Sequence, residues 1–398
     1  MSQSVHRSSP ITQAVRAGLE SDPATGAVVP PIHLTSTFAF HGFGEKGRYD
    51  YTRSGNPTRD LLGAALAELE GGAGAVVTAT GMAAITLCGY LVPAGARIVA
   101  PHDCYGGTYR LFDAWRRRGE RQVESIDYAD AEAVRCALGS PAALLWIETP
   151  SNPLLRITDI ERFAALGHAC GAKVIVDNTF LSPVWQQPLA LGADVVVHST
   201  TKYLNGHSDV VGGAVIARDQ DVYEQLAWWA NCLGITGAPF DSFLTLRGLR
   251  TLHVRLEHHG RNAQALAEWL AGADGVTQVY YPGLAHHPGH EVACRQQRGF
   301  GAIVSLELAA GLEAVRAFTD GLAYFSLAES LGGVESLLAH PATMTHAAMD
   351  SRARERAGLT DGLIRLSVGI EALEDLRADL AGGLERAARA RSMTRAPR

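Results

Sequence analysis

Several absences narrow what this chain can be. No window of membrane-spanning length is free of charge or glycine, which argues against a transmembrane helix. Residues Met1–Pro10 are polar and carry no apolar stretch of the kind a secretory leader needs, so a cytoplasmic protein is expected. Cysteine is sparse: Cys88, Cys104, Cys136, Cys170, Cys232 and Cys294 are scattered, and no Cys-x-x-Cys pair occurs. That pattern suits reduced thiols better than a disulfide framework or a zinc site. Lys and Arg are nowhere massed into a long basic face, and the formal net charge is -6, which excludes nucleic acid as an expected partner. The arginines of the tail Arg386–Arg398 read as a solvated or frayed terminus. His286-His287-Pro-Gly-His290 with Cys294 is the nearest approach to a metal cluster, but Pro288 and Gly289 break any helical register, so a surface loop is expected.

What is present is the material of a large globular protein. Hydrophobic residues make up 47% and charged residues 19% of 398 residues, enough for a sizeable core and for two or three domains. Residues 1–60 are rich in proline and glycine and poor in periodicity, as in an extended arm that wraps a second subunit. From 61 to 255, helical patterns alternate with short apolar runs: Ala75–Thr78, Arg97–Ala100, Ala143–Glu148, Lys173–Asp177 and Asp194–His198. Such alternation predicts an α/β fold with a mostly parallel central sheet, whose ligands bind beyond the carboxyl ends of the strands. Residues 256–398 read as a smaller C-terminal α+β domain. A helical stretch from about Ser242 to Leu270 leads into it, and Ala302–Leu308 and Leu363–Ser367 are its strands.

The segment Val195-Val-Val-His-Ser-Thr-Thr-Lys202 is the most informative. A buried strand empties into three hydroxyls, Ser199, Thr200 and Thr201, and one lysine. Hydroxyls there can hold a phosphate beside an amine, as a lysine-linked pyridoxal phosphate needs. Taken alone, Lys202 reads more readily as a solvated lysine in a strand-to-loop turn. Asp177 also closes an apolar strand, where a carboxylate needs a cationic partner such as a protonated pyridine nitrogen, or else caps a turn. Thr80-Gly81-Met82 ends a strand and opens a helix, a place that favours an anion. No Gly-x-Gly-x-x-Gly fingerprint stands at that turn, which weakens a dinucleotide reading. Tyr105 could stack on a flat ring or be ordinarily half-buried. Tyr51 and Arg53, in the arm, could complete a neighbouring subunit's site or lie in solvent. Arg365 places a charge inside an apolar strand and must meet either a substrate carboxylate or an internal salt bridge.

At these residues the chain resembles the Cys/Met-metabolism family of pyridoxal phosphate (PLP) enzymes, from about Thr12 to Leu376. The motifs are Tyr51-Thr-Arg53 with Asn56-Pro57, Ser151-Asn-Pro153, Asp177-Asn-Thr179, Ser199-Thr-Thr-Lys202 and Ser330-Leu-Gly-Gly333. The resemblance implies the PLP-dependent transferase fold type I, like that of aspartate aminotransferase, and a homotetramer built as a dimer of dimers with shared sites. It implies that Lys202 carries the cofactor and acts catalytically with Tyr105 and Tyr51. Asp177 would pair with the ring nitrogen, with Thr179 beside it. Gly81, Met82, Ser199 and Thr201 would hold the phosphate, joined by Tyr51 and Arg53 from the neighbouring subunit. Arg365, Asn152 and Ser330 would hold the substrate carboxylate. The stretches Tyr203–Val210, Leu226–Asn231 and Leu327–Ser336 look most like members that join cysteine to an O-acylhomoserine, with Glu329 as their acidic residue. Where some of these have a second arginine the chain has Ser54, leaving Arg110 as a contact for a succinyl carboxylate. Expected ligands are small amino acids; a lyase running in the cleavage direction, an O-acylhomoserine sulfhydrylase and a PLP-binding regulator without turnover are the alternatives.

Overall fold

The strand ends that matter are set by a single sheet. The computed structural model of the protein describes residues 8–346, 354–355 and 357–395. Among these, seven strands form one sheet: β1 (Gly74–Thr78), β2 (Arg97–Pro101), β3 (Gln122–Ile126), β4 (Leu144–Glu148), β5 (Lys173–Asp177), β6 (Val195–His198) and β7 (Gly213–Ala217), in the order β1-β7-β6-β5-β4-β2-β3. The run from β6 to β3 is parallel, and only β7 runs against its neighbours. The reason is local. Helices connect the parallel strands, but β6 reaches β7 through the loop 199–212, which has no crossover helix to turn the chain back.

Both faces of this sheet are covered, and the strands read accordingly as continuous apolar runs. Alternate residues divide between two cores: Val174, Val176, Val196 and Ile147 face one side, and Ile175, Val195, Val197 and Trp146 the other. All eight are fully buried, each burial stabilising the fold by roughly 1.5–3 kcal/mol.

A second sheet holds β8 (Val276–Tyr280), β9 (Ile303–Leu308), β10 (Ser326–Leu327), β11 (Leu337–Ala339) and β12 (Leu363–Ser367), ordered β10-β11-β12-β9-β8 and mostly antiparallel. The helical stretch expected from Ser242 is two helices, Pro239–Leu249 and Leu252–Ala271, broken at Arg250-Thr251 where neither glycine nor proline announces a stop. The second runs through residue 255, so a helix and not a loop joins the two halves.

The arm contains a short helix, Pro10–Arg16, and is otherwise irregular up to the helix Pro57–Glu70. Its Gly42, Gly44 and Gly47 have dinucleotide-fingerprint spacing, but they form a turn closed by a bridge between Gly42 and Glu45 and open no helix. Two expectations need correction. The tail is not frayed as far as Arg395: it continues the helix Leu373–Arg395, and Arg386 donates to the carbonyls of Ala317 and Phe318. The histidine stretch is only partly a surface loop, since His287 is buried and a helix begins at His290. Residues 1–7 of the polar start and 396–398 of the tail lie outside the described residues. Among the described residues all six cysteines are free, no cluster could hold a metal, and no helix is long and apolar enough to cross a membrane.

Candidate active site

The carboxyl ends of β4, β5 and β6 open into one cavity of about 440 Å³, closed from the other side by residues around β12. Thirteen of the fifteen residues expected from sequence line it, drawn from positions 81 to 365. Lys202 lies just past β6, with Asp177 at the end of the adjacent β5. The Lys202 Nζ donates to Ser330 Oγ at 2.8 Å. Burial, then the nearby Arg365 charge, lower its ammonium pKa to about 8, against the opposing pull of Glu329. The amine is therefore within reach of its reactive, neutral form near physiological pH.

Asp177 is buried, and its Oδ1 accepts the Thr179 backbone N–H at 3.0 Å. Burial raises its pKa; the Thr179 bonds and the His198 charge oppose that rise. Thr179 Oγ1 in turn accepts the Ser199 N–H at 2.9 Å, tying the ends of β5 and β6 together. Thr201 shares two bonds with Gly212, donating to its carbonyl and accepting from its N–H, which anchors the loop that carries Lys202.

Facing these hydroxyls is the start of the helix Gly81–Cys88, capped by Thr80, whose Oγ1 accepts the Ala83 N–H at 2.9 Å. Gly81 is required there by space: a Cβ would stand 2.9 Å from Ser199 Cβ and fill the cradle between the two. Unclaimed helix N–H groups, a glycine gap and hydroxyls together fit a phosphate. Tyr105 forms one wall and is 40% exposed.

Arg365 is 3% exposed on β12. Its Nη1 donates to Asn152 Oδ1 at 2.9 Å and its Nη2 to the Ser330 carbonyl at 2.8 Å, while its buried Nε has no partner. Burial lowers its pKa to about 10, so it stays charged at neutral pH. The internal salt bridge considered from sequence is not what the described residues provide: its bonded partners are neutral, and the unmatched donor is the chemistry of a carboxylate seat. Arg110 and Glu329, both exposed, bring opposite charges to the same cavity. Donors for a phosphate, a carboxylate for a ring nitrogen and a basic lysine together fit PLP.

Tyr51 and Arg53 are not brought into this cavity. They line another, of about 420 Å³, with Thr236 and Pro239; Arg53 Nε donates to Asn231 Oδ1 at 3.0 Å, and its guanidinium lies over the Tyr51 ring.

The sequence reading missed other site residues. Glu148 ends β4 and lines the cavity, a carboxylate closing an apolar strand just as Asp177 does. Met344 and Thr345 line it too, although nothing in their local sequence signals a site. Behind it, Glu70 Oε1 pairs with His198 Nε2 at 2.6 Å and accepts from Asn178 Nδ2 at 2.9 Å. One buried carboxylate thus holds the residue after Asp177 and the residue before Ser199.

Comparison with known proteins agrees with this geometry. A model of the Cys/Met metabolism PLP-dependent enzyme family matches residues 11–385. The chain is 57% identical over 378 residues to the cystathionine gamma-synthase of Escherichia coli K12, covering 94% of this chain and 98% of that one. It is 45% identical over 375 residues to a cystathionine beta-lyase of Lactococcus lactis, covering 94% and 98%. The crystal structure of a cystathionine gamma synthase from Xanthomonas oryzae, in complex with aminoacrylate and cysteine, superposes with a TM-score of 0.95 at 60% identity, over 96% of this chain and 100% of that one. With a matching family model over nearly its whole length and relatives this similar, the chain belongs to the Cys/Met-metabolism family of PLP-dependent enzymes and has their fold type I architecture.

Proposed function

We propose that the protein replaces the γ-acyloxy group of O-succinyl-L-homoserine, or of another O-acylhomoserine, with the thiol of L-cysteine, giving L-cystathionine and succinate for methionine biosynthesis. The observation that carries this reading is the shared cavity of a basic lysine and a buried, carboxylate-seeking Arg365, with Glu329 at its rim. Cystathionine gamma-synthases of Escherichia coli and Xanthomonas oryzae are among the relatives it resembles, at 57% and 60% identity.

Asp177 would hold the cofactor's ring nitrogen, the helix start at Gly81-Met82 with Ser199 and Thr201 its phosphate, and Tyr105 one ring face. When bound, PLP supplies an electron sink that acidifies the substrate's α-hydrogen and then its β-hydrogen. Arg365, through Nε and Nη with Asn152, fixes the α-carboxylate and so aims the α-hydrogen at Lys202. Lys202 Nζ takes that proton as a general base, then removes a β-hydrogen, and after the new bond to Cγ has formed returns protons to the β and α positions in reverse order. Ser330 Oγ holds the amine between transfers. Arg110 meets the free distal carboxylate of the succinyl group, and succinate leaves through its ester oxygen with the electron pair of the Cγ–O bond. The cysteine sulfur then forms the new bond to Cγ, and Glu329 attracts the ammonium group of the incoming cysteine.

The arm completes the assembly. Tyr51 and Arg53 of the partner subunit would add a phenol and a guanidinium to the phosphate seat, in a homotetramer made of two such dimers. A cytoplasmic enzyme is the setting this reading implies.

The test uses purified holoenzyme. Incubation with O-succinylhomoserine and cysteine should accumulate cystathionine, and incubation with cystathionine alone should consume it slowly. Faster cleavage to cysteine and 2-oxobutanoate would make it a gamma-lyase; homocysteine and pyruvate would make it a beta-lyase. A yellow protein that consumes none of these would be a regulator.

A further inference from the structure

One carboxylate in the cavity has no part in the steps above. Glu148 is 6% exposed and closes β4 in register with Asp177 on β5. Register partners on adjacent parallel strands point to the same face, with the strands ~4.8 Å apart. Both carboxylates therefore rise on the cavity side of the sheet, and both line it. A second acid beside Asp177 is unfavourable unless something repays it. Burial, with the Asp177 and Asp103 charges adding to it, holds the Glu148 carboxyl well above the ordinary range, and the Tyr105 and Asn152 backbone bonds pull against that rise.

Its specific contact explains the position. Glu148 Oε2 accepts the backbone N–H of Tyr105 at 2.8 Å. Tyr105 is the residue before the helix Gly106–Arg117, and its own side chain makes no capping bond. The Tyr105 ring leans back over Gly107, where a Cβ would lie 2.5 Å from ring atom Cε1. With ring atoms Cδ1 and Cε1 against a glycine and 40% of the residue exposed, side-chain packing braces the ring only in part. The peptide must fix it, and Glu148 holds that peptide.

We propose that Glu148 is a positioning residue: it clamps the Tyr105 amide to the floor of the site and so sets the angle at which the Tyr105 ring covers the bound cofactor. The inference rests on the reading of Tyr105 as the covering ring. Removing the acceptor of a buried N–H weakens what depends on it by roughly five- to a hundredfold. Glu148→Ala should therefore raise the Kd of the apo-protein for PLP, read by protein fluorescence, and lower kcat by that order. Glu148→Gln keeps an acceptor oxygen at the same reach and should recover most of both losses. Glu148→Asp, one carbon short, should resemble Ala and serves in its place should Ala not fold. A Gln variant as impaired as Ala would overturn the clamp.

A double-mutant cycle with Tyr105→Ala separates the two readings. If Glu148 acts through Tyr105, adding Glu148→Ala to Tyr105→Ala changes Kd by less than about threefold. Full additivity overturns the proposal alone. An unchanged Kd in Tyr105→Ala itself overturns the Tyr105 reading and the clamp with it.

Discussion

Lys202 Nζ donates a 2.8 Å hydrogen bond to the Oγ of Ser330, and Ser330 holds that oxygen in place from a backbone with φ of +96°. A non-glycine residue rarely adopts such a φ, and holding it there costs on the order of 1–3 kcal/mol. Surrounding bonds impose it: the Ser330 carbonyl accepts from Arg365, and the Gly332 N–H donates to Ser367 Oγ. Ser330→Ala and Ser330→Gly both lose the oxygen, and kcat should fall two- to tenfold in each. Only glycine relieves the backbone, so Ser330→Gly should be the more stable of the two by about 1 kcal/mol in urea unfolding. Equal stabilities would mean that the backbone is unstrained; an undiminished kcat would remove the lysine tether.

The lowered pKa of Lys202 gives a pH dependence with a definite sign. Folded, the amine titrates at about 8, against 10.5 when unperturbed. The unfolded chain binds this proton more tightly, so this group's contribution to apo-protein stability rises with pH between those values and is lost as pH falls through about 8. Covalent capture of PLP by the apo-protein needs the neutral amine and should speed up with a midpoint near pH 8. Removing Glu329, which raises the pKa, should move the midpoint down in Glu329→Gln. Removing the Arg365 charge should move it up. Stopped-flow capture rates across pH would show both, and a midpoint that neither variant moves would contradict the electrostatic account.

Much of this was legible because the sheet is buried on both faces. Lys173–Asp177 carries an unbroken apolar run from Val174 to Val176, Leu363–Ser367 of the second sheet an apolar pattern broken only by Arg365, and the observed bounds of both match the sequence reading. Gln122–Ile126 was not legible: it is a half-exposed edge strand reading Gln-Val-Glu-Ser-Ile, with neither alternation nor an apolar run. Gly213–Ala217 is fully buried yet follows Gly212, and so it reads as the end of a loop. The site divides in the same way. Lys202 and Asp177 stand out because a charge at the end of an apolar strand needs an explanation. Glu148 closes an apolar strand and meets the same criterion. Met344 and Thr345, which follow β11, reach the cavity only through the tertiary fold.

Arg365 should act on substrate and not on cofactor. Its buried Nε lacks a partner, and the α-carboxylate is the group that would supply one. Arg365→Ala should raise KM for O-succinylhomoserine steeply, by ten- to a thousandfold for a lost charge-assisted pair, while PLP absorbance is retained. Arg365→Lys should recover little, since a point charge cannot reproduce the planar fork that spans Asn152, Ser330 and a carboxylate. An unchanged KM in Arg365→Ala would refute the assignment.

The arm makes the last prediction, because Tyr51 and Arg53 lie in a different cavity from Lys202 within one chain. They are nevertheless firmly placed. Arg59 Nη2 donates to the carbonyls of Thr52 and Arg53, and the Asn56 side chain binds the His33 carbonyl and Thr52 Oγ1. Such a fixed presentation suits residues that serve another subunit. Arg53→Ala and Lys202→Ala should each be nearly inactive alone. Co-expressed, they form mixed dimers in which one site carries both defects and the other carries none. Random pairing then restores about a quarter of wild-type activity, since half the dimers are mixed and half of their sites are intact. Assays on the co-purified mixture, set against the two parents, read this directly. If each site instead drew Lys202 and Arg53 from the same chain, every site in every dimer would carry a defect, and the mixture would stay at the level of its parents.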